Sequence, residues 1–109
     1  MTQVIKATAG DKLFAWQFTL KDNDDNAIDL TGATGTFRAQ LENGTALAIE
    51  GAIALVTAAS GICKYVVQEG DLASPGRYYA EVEIKFNTGE VSSFNDIQLV
   101  IEKQLPRTI

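Results

Sequence analysis

The chain has 109 residues and a formal net charge of −5, with 46% hydrophobic and 21% charged residues, the composition of one globular domain and not of a disordered chain. It contains no histidine and one cysteine, which excludes an internal disulfide, a multi-cysteine metal site and a histidine base. Its acidic balance argues against nucleic acid and anionic membranes as partners, and no apolar run approaches the roughly 20 residues that span a bilayer.

Hydrophobic residues alternate with polar ones along nearly the whole chain, and this period of two predicts β-strands. Residues 13–20 place their aromatic side chains on one face, and residues 78–86 alternate apolar residues with Tyr79, Glu81 and Glu83. The predicted strands are residues 3–8, 13–20, 34–41, 45–49, 52–58, 62–68, 78–86, 90–94 and 97–103. The predicted core consists of Phe14, Trp16, Phe18, Phe37, Tyr78, Val82 and Ile84.

Turn signals separate these strands. Asn43-Gly44 and residues 87–89 are typical of hairpin loops, because asparagine and glycine tolerate positive φ. One helical turn is compatible with residues 69–73. Seven to nine short strands with turns roughly every 8–12 residues predict an all-β fold, either a two-sheet antiparallel β-sandwich or a small barrel. In a sandwich, we expect residues 3–8 and 97–103 to be the edge strands.

The segment 71–80, DLASPGRYYA, favours the sandwich. Immunoglobulin-like (Ig-like) sandwiches place a tyrosine at the corner that leads into a central strand, where its hydroxyl bonds to upstream backbone. Tyr78 fits this corner, and Ala80 takes the position that a core cysteine has in antibody domains. The alternative is that Tyr78 is an ordinary core tyrosine. In either case its predicted role is structural.

Four aspartates lie close together in residues 22–29, DNDDNAID, which raises the question of a calcium site. Calcium takes six to eight oxygen ligands, and in an EF-hand loop a glycine and a glutamate occupy fixed positions. Counted from Asp22, those positions hold Ala27 and Ala33. A solvent-exposed turn, in which the aspartates accept hydrogen bonds from nearby backbone, explains the run better. We predict no metal ligand here.

No group in the sequence has the neighbours that catalysis needs. Cys63 lies in an apolar stretch with no histidine to activate it, so we interpret it as a small buried hydrophobic residue. Glu81 and Glu83 alternate with apolar residues along a strand, so both side chains lie on its outer face, where we expect them to be solvated charges. No glycine pattern matches a phosphate-binding loop or a dinucleotide-binding turn. We therefore predict no catalytic residue, no cofactor and no enzyme activity.

Two outward positions are candidate interface residues. Tyr79 is predicted to face away from Tyr78, beside Arg77. Tyrosine and arginine are both enriched at protein interfaces. The alternative for Tyr79 is that it covers a second apolar layer.

Together these motifs resemble the N-terminal domain of the phage baseplate upper protein family, found in the tail and receptor-binding apparatus of tailed phages. The resemblance covers roughly residues 4–102. The segments that carry it are Gly10-Asp11 before LFAWQFTLKD, residues 27–33 (AIDLTGA) before TGTFRAQL, residues 60–67 (SGICKYVV), residues 71–82 and residues 87–89.

The resemblance implies an Ig-like fold, no catalytic residues and a structural role in the virion through protein–protein contacts. It implies other phage tail or baseplate proteins as partners, and we also expect a homo-oligomer in a virion tail that assembles in the bacterial host cytoplasm. Residues 1–109 are then a single domain, either a short stand-alone member or the N-terminal domain of a longer tail protein. The competing hypothesis is an Ig-like binding module that recognises a host cell-surface polysaccharide or protein.

Overall fold

The computed structural model describes residues 3–10, 12–22, 24–44, 47–68, 70–72 and 74–103. Within them the fold is all-β, as predicted, and the one helical segment is a 3₁₀ turn at Ala58–Ser60. The eight strands are β1 (Gln3–Thr8), β2 (Ala15–Thr19), β3 (Thr34–Leu41), β4 (Leu47–Ala52), β5 (Ala54–Thr57), β6 (Ile62–Val66), β7 (Gly76–Lys85) and β8 (Val91–Glu102). No helix among the described residues could cross a membrane.

The strands form two sheets packed as a sandwich. The five-stranded sheet has the order β1-β8-β7-β3-β4, and the three-stranded sheet has the order β2-β6-β5. The pairs are antiparallel, as predicted, except that β1 runs parallel to β8. Nearly the whole chain separates these two strands, so no short hairpin forces them to be antiparallel.

The predicted edge strands have different outcomes. Strand β1 lies at an edge of the five-stranded sheet, as predicted. The prediction that residues 97–103 form an edge is wrong, because β8 lies between β1 and β7. The segments 90–94 and 97–103 are one strand, and a register shift between Ala80 and Val82 of the neighbouring β7 absorbs the irregularity between them.

An aromatic cluster joins the two sheets. The rings of Phe37 and Tyr65 stack with their centroids 4.8 Å apart, and the ring of Phe18 also stacks with Phe37, at 5.8 Å. Trp16 packs against Phe37 at 5.7 Å. Every predicted core residue is buried except Phe14, which is half-buried because it precedes β2 and packs edge-on against Trp16.

Loop residues complete the core. Leu30, Val67 and Leu72 are fully buried although they lie outside the strands. The segment 69–73, predicted as a helical turn, has both end residues outside the described part of the chain. Between them, the Asp71 amide donates to the Gln68 carbonyl at 3.1 Å, as in a turn.

Two of the predicted corners are confirmed. The Tyr78 hydroxyl donates to the Ser74 carbonyl at 2.6 Å, so Tyr78 closes the corner at the start of β7 as it does in Ig-like sandwiches. In the β7–β8 hairpin, the Phe86 amide donates to the Glu90 carbonyl at 2.8 Å. Gly89 has a φ of 92°, the left-handed conformation for which glycine was predicted there.

Candidate interaction surface

The solvent-facing side of the five-stranded sheet, here called the outer face, is the broadest regular surface of the domain. It exists because the strands alternate: β7 turns Tyr78, Ala80 and Val82 into the core and the residues between them to solvent. The outer face carries Val4, Lys6, Thr36, Arg38, Gln40, Leu47, Glu50, Arg77, Tyr79, Glu81, Glu83, Lys85, Gln98, Val100 and Glu102.

The two candidate interface residues both lie on the outer face. Tyr79 is 61% exposed, so no second apolar layer of the described chain covers it. Arg77 is exposed two residues earlier on the same strand and forms no ion pair with a described residue. The structure thus brings Arg77 and Tyr79 to one surface, and their role in binding stays a prediction.

Five uncharged residues cross the outer face in one row, here called the central row. The strand registers place Tyr79 opposite Gln98 on one side and opposite Gln40 on the other. Val4 follows beyond Gln98, and Leu47 beyond Gln40. Val4 is 52% exposed and Leu47 is 48% exposed. The row therefore presents three apolar or aromatic side chains separated by two amides.

On one side of the central row, Arg38 lies among three carboxylates, here called the acidic cluster. Its guanidinium is 2.8 Å from Glu50, 3.3 Å from Glu83 and 3.5 Å from Glu81. The hydrogen bond to Glu50 is the main cause that raises the pKa of Arg38 above its ordinary value. One cation among three anions leaves the acidic cluster with a net charge of −2.

The other side of the central row carries charges of both signs. Lys6 and Arg77 lie in one line across the sheet, because each pairs with Val100 from opposite sides. Glu42 lies on this side too, and its carboxylate accepts a hydrogen bond from the Gln98 amide at 2.9 Å. Glu102 also faces outward on this side, two residues beyond Val100, so Lys6, Arg77, Glu42 and Glu102 together give it a net charge of zero. On β7 itself the charge changes sign across the central row, from Arg77 on this side to Glu81 on the other.

A shallow groove of about 360 Å³ lies next to Tyr79 on this face. Its lining includes Arg38, Gln40, Leu47, Glu81 and Asn95. These groups donate and accept hydrogen bonds and form ion pairs.

The family model for the BppU N-terminal domain matches residues 1–109. The chain belongs to this family of phage baseplate proteins. The resemblance stated from the sequence is thereby confirmed. Membership makes the chain a phage baseplate structural protein by family, with other tail or baseplate proteins as the implied partners and the virion tail as the implied place.

The fold also occurs outside this family. The crystal structure of CopC from Methylosinus trichosporium OB3b superposes with a TM-score of 0.58 at 9% sequence identity, over 98% of this chain and 91% of that one. At this identity the likeness concerns the fold alone. No curated protein sequence matches the chain.

The acidic run of this baseplate-family chain uses its aspartates as predicted. Asp22 Oδ1 accepts hydrogen bonds from the backbone amides of Asp24 at 2.9 Å and Asn26 at 3.0 Å. Asp29 accepts from the amide and hydroxyl of Thr31, and the hydroxyl bond is the main cause that lowers the pKa of Asp29. Among the described residues, no three acidic, cysteine or histidine side chains are grouped to hold a metal ion.

Cys63 is buried in β6, as predicted, and lies far from the outer face in the core cluster. Burial raises the pKa of its thiol to about 11. The thiol is therefore protonated near neutral pH and is a poor nucleophile.

Proposed function

We propose that the chain is a non-enzymatic structural module of a phage tail, baseplate or fibre that joins other tail proteins through its outer face. Residues 1–109 act as a single Ig-like domain. The module belongs to the virion tail, is assembled in the bacterial host cytoplasm, and associates with further copies of itself. The observation that carries the proposal is the exposed Tyr79 beside Arg77, at the centre of a regular sheet face.

The composition of the outer face supports this proposal. Tyrosine and arginine dominate the energetics of many interfaces because each buries a large area and still forms hydrogen bonds, and tyrosine does so at a small cost in conformational entropy. Around Tyr79, Gln40 and Gln98 offer amide donors and acceptors, and Leu47 adds apolar area. A protein surface of matching shape would cover an aromatic anchor with a polar rim.

The test is binding to the tail proteins encoded beside this chain, each purified separately and measured by biolayer interferometry. Tyr79→Ala should weaken binding by about 30-fold or more, the loss expected of an interface hot spot. Gln17→Ala is the matched control, because Gln17 is exposed on the opposite sheet. Equal affinities for the wild type and both variants would overturn the assignment of the outer face.

The competing function, recognition of a host polysaccharide, has less support in the aromatic residues. Sugar-binding sites stack their ligands on exposed aromatic rings, and of the tryptophan and tyrosine side chains only Tyr79 is exposed. A glycan array with the isolated chain separates the two functions. Binding to a defined glycan together with no affinity for any co-encoded tail protein would replace the assembly proposal.

A further inference from the structure

We infer that the outer face is a contact between two copies of this chain, related by a twofold axis that runs along the central row. The inference deepens the proposed assembly function by naming a partner and a geometry for the same surface. In such an isologous contact the surface must be complementary to itself, so that each residue and its symmetry mate face compatible groups. The outer face meets this condition in its charges and in its uncharged row.

The first observation is the sign of the charges around Tyr79. Arg77 and Glu81 lie on the same side of β7, each two residues from Tyr79 and therefore about 6.7 Å from it along the strand. A half-turn about the central row exchanges their positions. Arg77 of each copy then lies over Glu81 of the other, and the symmetry forms this opposite-charge contact twice.

The same operation matches the wider charge distribution. It places Glu42 of each copy over Arg38 of the other, because the half-turn keeps every strand over its own symmetry mate and both residues are two positions from Gln40. Complementary potentials of this kind fix the register of an interface and disfavour the wrong ones.

The second observation is the absence of charge on the proposed axis. A residue on a twofold axis faces its own copy, so a charged residue there would face a like charge. The five residues of the central row, Val4, Gln98, Tyr79, Gln40 and Leu47, are all uncharged. Glutamine suits this position because its amide both donates and accepts hydrogen bonds and can therefore pair with itself.

A second face-to-face arrangement, with the twofold axis perpendicular to the central row, is not self-complementary in charge. An axis along β7 would place Arg77 over Arg77 and Glu81 over Glu81. Two like-charge contacts would then lie at the centre of the interface, where they are costly. The charge pattern thus selects one of the two orthogonal arrangements.

The size of the face is sufficient for a weak specific dimer. Five strands about 4.8 Å apart and about eight residues long cover roughly 600 Å². Two such faces bury roughly 1,200 Å² in total, the lower limit of specific protein interfaces. We therefore expect self-association at micromolar concentrations and above, favoured wherever an assembly holds several copies close together.

Sedimentation equilibrium of the purified chain, from about 10 µM to 1 mM at low salt, tests the inference with charge reversals. Arg77→Glu and Glu81→Arg should each weaken self-association at least tenfold, because each converts both symmetric contacts into repulsions. An equimolar mixture of the two variants should associate as strongly as the wild type, because the contacts between them are again opposite in sign. Lys64→Glu, the same change of charge on the other sheet, is the control and should have no effect.

A second pair of variants tests the axis and does not depend on Glu81, which contacts Arg38. Tyr79→Glu and Tyr79→Arg each place a charge on the axis, so each should abolish self-association alone and restore it when mixed. Circular dichroism checks that all variants are folded. A wild type that stays monomeric at 1 mM, or a dimer that ignores the reversals, would overturn the inference, and so would mixtures that fail to recover.

These outcomes are independent of the proposed function. A monomer that still binds a co-encoded tail protein through Tyr79 would refute the dimer alone and would leave the outer face as a surface for a different protein. A dimer with the predicted mixing behaviour but no affinity for tail proteins would refute the assembly partners alone.

Discussion

The two sheets present very different surfaces to solvent although the same alternation of residues builds both. The outer face of the five-stranded sheet spans charges of both signs around an aromatic centre. Among the described residues, the side chains at the outward positions of the three-stranded sheet are uncharged, except for Lys64. That sheet has strands of four and five residues and covers only roughly 200 Å². An interface of specific size fits on the first surface and not on the second.

The largest expected effect on stability concerns the hydrophobic core, which lies between the two sheets and is common to both. Phe37 of the five-stranded sheet and Phe18 of the three-stranded sheet stack on each other and are almost fully buried. Phe37→Ala and Phe18→Ala should each lower the free energy of unfolding by about 3–5 kcal/mol, because each leaves a cavity in one common cluster. Urea denaturation measures both. A loss below about 1 kcal/mol for either variant would mean that the sheets do not share one core.

A smaller effect distinguishes the two sheets through their buried tyrosines. The Tyr65 hydroxyl of the three-stranded sheet donates to the Asp71 carboxylate, whereas Tyr78 donates to a neutral carbonyl. Tyr65→Phe should cost about 1.5–3 kcal/mol and Tyr78→Phe about 0.5–1.5 kcal/mol, because hydrogen bonds to charged acceptors are stronger. Chemical denaturation of both variants measures the difference, and the reverse order would contradict it.

The same tyrosine gives the stability a pH dependence. Burial, with the hydrogen bond to Asp71, raises the pKa of Tyr65 well above its ordinary value. The unfolded chain loses this proton near pH 10, while the folded chain keeps it to higher pH. The contribution of Tyr65 to stability should therefore be constant below about pH 10 and should fall as the pH rises from there. With Tyr65→Phe, the free energy of unfolding should fall less steeply as the pH rises in the alkaline range. An unchanged slope would mean that other groups cause the alkaline loss of stability.

The smallest effect concerns the charges of the two faces. Arg38→Gln leaves three carboxylates close together on the outer face, whereas Lys64→Gln removes a charge that forms no ion pair with a described residue. Because the groups are partly exposed, Arg38→Gln should cost less than about 1 kcal/mol, and added salt should reduce the loss. Lys64→Gln should be neutral within about 0.5 kcal/mol. Thermal melts at low and high salt compare them.

Much of the fold could be predicted from local patterns. The alternation in residues 78–86 is enough to place Tyr78 inside and Tyr79 outside, and the segment around Pro75-Gly76 is enough to predict the tyrosine corner. These features depend on neighbours within a few residues. A period of two also explains why the predicted limits of β3, residues 34–41, agree with those observed.

The candidate surface could be predicted only in part, because it depends on how distant strands pair. The alternation along one strand is enough to predict that Arg77 and Tyr79 face outward. The central row, in contrast, requires Val4 to lie beside Gln98 and Leu47 beside Gln40. Strand order and register arise from tertiary packing and are absent from the local sequence. For the same reason residues 97–103 were predicted at an edge, whereas β1 in fact covers them.

The parallel pairing of β1 with β8 has a mechanical consequence. Gln3 pairs with Ile97 and Thr8 with Glu102, so a pull applied at residues 3 and 102 acts along the ladder in opposite directions. The six residue pairs are then loaded in shear and share the force. A pull at residues 3 and 97 would instead open the same pairs one at a time. We expect single-molecule force spectroscopy to give a higher rupture force for the first geometry than for the second.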